Sequence, residues 1–157
     1  MKGKSGFSIT HPENSIVELV GKTGHKTLAV WATDCAMRVI PYFEEKYPED
    51  DRPGKAIEAL QKWIDTGLFK MADIRKAALD SHAAARETGE DNAARSAARA
   101  AGQAVATAHV KTHCIAAANY ALQAIYRAAG DSGAEDAAAR ERKWQYKHLL
   151  GLIKKEK

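Results

Sequence analysis

An all-α bundle is the fold this sequence predicts, and three observations predict it. Alanine supplies 31 of the 71 hydrophobic residues in the 157-residue chain, leaving 40 larger apolar, aromatic or sulfur-containing side chains. Alanine is the best helix former, whereas a β-sandwich needs β-branched and aromatic residues. Apolar residues also recur at three- and four-residue spacing in segment after segment, and Gly, Pro and short polar clusters punctuate them. The expected architecture is one compact domain over residues 1–157, with six or seven mostly antiparallel helices and the Ala-rich ones at the centre. Connections of about 3–6 residues favour antiparallel neighbours.

Each element carries its own signal. Residues 1–12 are basic and Gly/Ser-containing and are expected to be flexible. Pro12 suits the start of a short helix over 13–20, which the Gly21-Lys22-Thr23-Gly24 stretch ends. From His25, the stripe Leu28, Trp31, Ala32, Cys35, Val39 and Tyr42 predicts a helix that kinks or restarts at Pro41 and stops near Tyr47-Pro48. Asp51 is the expected cap of the next helix, with Pro53 in its first turn, Ala56, Ile57, Leu60, Trp63 and Ile64 on its inner face, and Gly67 at its end. A helix over 71–87 shows Ile74, Ala77, Ala78, Ser81 and Ala85 on one face. The alanine-rich pair follows, over 93–109 and 112–129. Its strips Ala93, Ala97, Ala101, Ala104, Ala108 and Ala116, Ala117, Ala121, Ala124 let two helix axes approach closely, and lone Gly102 fits the same close contact. After the Gly130-Asp131-Ser132-Gly133 turn, a basic helix runs over 134–154 within the C-terminal segment 134–157, its Trp144, Tyr146, Leu149, Leu150, Leu152 and Ile153 suited to docking on the bundle.

Charge narrows the range of partners. The net +4 divides unevenly: residues 140–157 hold seven basic and two acidic side chains, and the other 139 hold 17 and 18. A body of −1 with a +5 tail, and no recognisable reading module, argue against specific nucleic-acid recognition. No run approaches the ~20 apolar residues of a membrane helix, and the basic N-terminus lacks an apolar secretory stretch, so a cytoplasmic protein without membrane contact is expected. Cys35 and Cys114, without a CxxC spacing, read as free buried thiols.

Constellations with chemical potential are few. His109 and His113 stand four apart, the spacing at which one helix face offers two metal ligands, with Cys114 or His82 as a third. The pair straddles an expected helix boundary and lacks the glutamate of an HExxH motif, so hydrogen bonding between two close helices is the simpler role. His82 falls on an inward face, the usual place of a satisfied core histidine. Cys35 lies mid-helix on the apolar stripe, which favours packing over nucleophilic chemistry. Asp34 and Arg38, at i and i+4, predict a surface ion pair. Glu44, Glu45, Glu49, Asp50 and Asp51 form the densest acidic patch. Phosphate-loop, dinucleotide and nucleophile-elbow motifs are absent, and no cofactor is expected.

Several motifs together resemble the Imm-five-like family of immunity proteins. They are His25-x-x-Leu28-x-x-Trp31-Ala32-x-Asp34-Cys35-Ala36, Pro41-x-Phe43-Glu44, Asp51-Arg52-Pro53-x-x-Ala56-Ile57, His82-Ala83-Ala84-Ala85-Arg86 and the run from Ala101-Gly102 to His109-Val110, spread over residues 25–125. The Trp-Ala-x-Asp-Cys-Ala and Asp-Arg-Pro elements are the specific ones. The resemblance implies a helical cytoplasmic protein that binds and neutralises a cognate toxin, with no catalytic residue to carry over. His25, Asp34, Asp51, Arg52, His82 and His109 match it at polar positions and are the candidate partner-binding or pocket residues on that ground. The alternative is a small-ligand or metal-binding protein, an enzyme included, with His82, His109, His113 and Asp34 around a pocket. A neutral body points away from a strongly basic toxin unless the Glu44–Asp51 patch docks it. The oligomeric state is left open.

Overall fold

The computed structural model describes residues 14–156, so the expected flexibility of residues 1–12 lies outside the described residues. Eight helices and no strand occur among them: α1 (Asn14–Gly21), α2 (His25–Met37), α3 (Ile40–Glu44), α4 (Arg52–Thr66), α5 (Met71–Glu87), α6 (Ala93–Ala106), α7 (His113–Ala129) and α8 (Ala134–Glu156). The count exceeds the expected six or seven. The stripe that starts at His25 is interrupted at residues 38–39, where Val39 leaves helical geometry (φ −115°, ψ −10°). Pro41 then sits in the first turn of α3, where a missing N–H costs nothing, so it starts a helix instead of kinking one.

α6 is the central element and packs against α2, α3, α4, α5 and α7. Burial covers most of its circumference, with Ala94, Ala97, Ala98, Ala100, Ala101, Gly102, Ala104 and Val105 all buried and the strip Arg95, Arg99, Gln103 and Ala106 half-buried. A helix packed against five others needs small side chains, and alanine here works as a spacer. The bulk comes from its neighbours, with Trp31, Phe43, Leu28, Leu60 and Leu149 fully buried in one cluster that spans α1 to α8. The Ala-rich α6 and α7 pack on each other as their strips predict. No described helix is long and apolar enough to cross a membrane.

Local chemistry sets the helix ends. Asn92 caps α6, its side chain accepting from the Arg95 N–H at 2.8 Å. Gly67 closes α4 in the left-handed region (φ 72°), donating to the Trp63 carbonyl. α6 ends at Ala106, three residues short of its expected end. There the carbonyl of Thr107 is taken by His25 Nε2, and the backbone passes into short three-residue turns. Asp51 occupies the cap position of α4 without a side-chain cap bond. The Arg52 N–H is taken by Asp50 Oδ1 at 3.1 Å, so the capping role expected of Asp51 falls to its neighbour.

Candidate functional site

The basic C-terminal helix is fastened to the bundle through polar side chains. Glu141, Gln145 and Leu149 of α8 are buried, at four-residue spacing. The indole of Trp31 on α2 donates to the Gln145 carbonyl at 2.9 Å, and Gln145 Nε2 donates to the Ala118 carbonyl of α7 at 2.9 Å. Arg142 donates to Asn119 and to the Gln145 side chain. Each buried polar group thereby finds a partner, which specifies one docking position. Lys143, Lys147, Lys154 and Lys155 stay exposed on the outer side.

Asp34 and Arg38 belong to this seam, and they do not pair with each other as their spacing predicts. Asp34 Oδ2 accepts from His148 Nε2 at 2.7 Å. Arg38 is held in a fork by Glu141, Nε to Oε2 at 2.6 Å and Nη2 to Oε1 at 3.0 Å. Its guanidinium carbon lies 3.8 Å from the centre of the Trp144 ring, and Trp144 also stacks on His148, ring centres 4.7 Å apart. Docking of α8 offers Arg38 a more desolvated acceptor in Glu141 than the more exposed Asp34 could be, and donating to that carboxylate raises the Arg38 pKa.

Beside this seam a cleft of about 510 Å³ opens between α2, α3 and α4. Its lining includes Asp34, Met37, Ile40, Glu44, Ile57 and Glu58, and Met37 is 50% exposed. A Cβ at Gly54 would meet Glu44 Oε2 at 3.5 Å, so that carboxylate rests beside the first turn of α4, where the helix dipole favours negative charge.

The other candidate residues have intramolecular tasks. Arg52 ties the start of α4 to the end of α5, Nη2 meeting Asp50 Oδ2 at 2.7 Å and Glu87 Oε1 at 2.6 Å. These bonds raise the arginine pKa and lower those of Asp50 and Glu87. Asp51 is exposed beside them. His25, half-buried at the start of α2, donates to the Thr107 carbonyl and packs against Trp63, ring centres 4.9 Å apart.

Three histidines share a neighbourhood. His82 lies so close to α6 that a Cβ at Gly102 would come within 2.8 Å of its Cε1 and Nε2. The helix contact expected at Gly102 is therefore with an imidazole. The Nδ1 of His82 is buried with no hydrogen-bond partner among the described residues, so it is not the satisfied core histidine expected. Burial, then Arg99, Arg86 and His113, push its pKa down to about 4. His113 Nδ1 donates to Gln103 Oε1 at 2.9 Å, bridging α7 to α6, and its pKa is lowered by burial and by His109. His109 is exposed, stacked on Phe69 at 6.1 Å. Asp34 engages His148 and lines a different cleft. Among the described residues no group of three or more His, Cys, Asp or Glu is placed to hold a metal ion.

Both thiols are free and buried. Burial holds Cys35 well above the usual thiol range and pushes Cys114 up to about 12, the reverse of what a nucleophile requires.

A family description matches from within α1 to within α8: the Imm-5 like putative immunity protein, over residues 18–152. The chain belongs to this family. No curated protein and no solved structure matches it. The two specific motifs of this Imm-5 like chain build the structure just described. Trp31, Asp34 and Cys35 of the first supply the α8 anchor, the His148 partner and a core thiol. Arg52 of the second supplies the α4–α5 tie. Sequence reasoning placed Trp144 on the docking face of α8 but missed Glu141, Gln145 and His148. Their shared face in α8 carried a signal in the spacing 141, 144/145, 148, but the mixed charge of that helix masked it.

Proposed function

We propose that this Imm-5 like protein acts in the cytoplasm, binding a toxin protein and blocking it without catalysis of its own. The observation that carries the reading is the family match over residues 18–152, which spans the helical bundle instead of a fragment of it. The geometry supports it in two ways. The seam between α2 and α8 is locked by satisfied polar contacts, and a preformed surface loses little conformational freedom on binding. The two thiols, buried and with raised pKa, are disposed for packing.

The six candidate residues divide on this reading. Asp34, Asp51 and His109 offer surface to a partner, whereas His25, Arg52 and His82 position helices. Co-expression with the product of each adjacent reading frame tests the proposal. One neighbour is expected to arrest growth when expressed alone, to be tolerated when this protein is present, and to co-purify with it. Growth arrest that this protein never relieves would overturn the reading.

A further inference from the structure

We infer that the cleft between α2, α3 and α4 receives a lysine or arginine side chain, with its aliphatic neighbours, from the protein partner. This inference rests on the binding reading above and names the chemistry of the partner's contact. At about 510 Å³ the cleft lies within the range of ligand-binding sites, roughly 300–1,000 Å³. Its floor is apolar, made by Met37, Ile40 and Ile57, and the half-exposed Met37 is the kind of pliant side chain that adapts to a guest.

Its charge is of one sign. Asp34, Glu44 and Glu58 line it, and no lysine or arginine does. The cleft of Tyr42, Glu45, Lys46 and Arg127 and that of Arg75, Lys76 and Asp80 both mix signs. An apolar floor below a carboxylate rim matches a side chain with an aliphatic stem and a cationic head. His148 holds Asp34 in place for such a head. Glu58 is engaged by Lys55 at 3.7 Å with both side chains exposed, a weak contact that an incoming cation can replace.

The test uses defined peptides on the ¹⁵N-labelled whole chain: acetyl-Leu-Arg-Leu-amide against acetyl-Leu-Glu-Leu-amide. The basic peptide is expected to shift the amide signals of Met37, Ile57 and Gln61 in a saturable manner. The acidic one is expected to leave them unmoved, and the Glu44→Gln/Glu58→Gln variant to bind the basic peptide about tenfold more weakly. Both substituted residues are exposed, and an unchanged amide spectrum elsewhere verifies the fold. Equal shifts from both peptides, no shifts, or shifts that grow with protein concentration alone (a second copy in the cleft) would each overturn the inference. If a toxin is neutralised equally well by the variant, the cleft assignment fails while the immunity reading stands. If no toxin is neutralised but the peptide shifts hold, the immunity reading fails and the cleft's chemistry remains.

Discussion

Replacing Gly102 by alanine sets two effects of comparable size against each other, and their balance is decided by His82. In a helix interior, Gly→Ala is worth about 1 kcal/mol in favour of folding. The new Cβ, however, would lie 2.8 Å from His82 Cε1 and Nε2 and 3.1 Å from Cδ2. Carbon contacts are comfortable at about 3.5–4.0 Å, so the ring must retreat by roughly 1 Å. Overpacking of this kind costs about 1–3 kcal/mol. Gly102→Ala is therefore expected to destabilise the protein by about 1 kcal/mol, a fall of about 2–4 °C in Tm for a chain of this size. In a His82→Ala background the obstacle is gone, and the same substitution is expected to stabilise by about 1 kcal/mol. The coupling between the two sites is then about 2 kcal/mol. Urea unfolding of the four proteins, followed by circular dichroism, measures it. Equal stabilisation by Gly102→Ala in both backgrounds would refute the reasoning, because it would mean that the ring does not press on α6.

Three further predictions follow from the same contacts. With the His82 pKa near 4 in the folded protein and the ordinary value near 6.5 when unfolded, the unfolded chain binds the extra proton. Its contribution is thus complete above pH 6.5 and is lost as the pH falls toward 4, with His113 acting in the same direction. Discounted for the ring's partial exposure, the loss attributable to His82 is about 1–2 kcal/mol; a pH–stability profile that flattens in His82→Ala checks it, and an unaltered slope contradicts it. Arg38→Met leaves the buried Glu141 carboxylate without its fork and is expected to cost about 2 kcal/mol. Glu141→Gln frees an arginine that is already 42% exposed and should cost about 1 kcal/mol or less, so the reverse order in urea unfolding would overturn this account. Cys35 and Cys114 are expected to resist iodoacetamide at pH 8 in the native protein and to react in urea; rapid labelling of either native thiol would show the burial to be wrong.

The elements that were legible in the sequence are those whose signal is local. The α6–α7 contact follows from alanine at helical spacing, and the close approach at Gly102 follows from a glycine where a helix interior has no use for one. The burial of Cys35 follows from its place in the Leu28–Trp31–Ala32 stripe. Local reasoning failed where two local partners competed with a distant one. Asp34 and Arg38 are well spaced to pair, yet each turns to α8, 114 and 103 residues away. His82 likewise stands on the inward face its spacing predicts, but its close approach to Gly102 of α6 and its unpartnered Nδ1 show only in the packed structure.

By itself, the amino-acid sequence determined the all-α class, most of the helix boundaries, the two free thiols and the family. Each depends on intrinsic propensity, on periodicity within about four residues, or on motifs read directly from the chain. The sequence also offered a tail helix that docks on the bundle. Tertiary structure alone decided that buried polar side chains anchor it, that the acidic and basic side chains of α2 serve it, and that three carboxylates line one apolar cleft. Those outcomes depend on desolvation, which selects among possible polar partners only once packing has brought distant helices together.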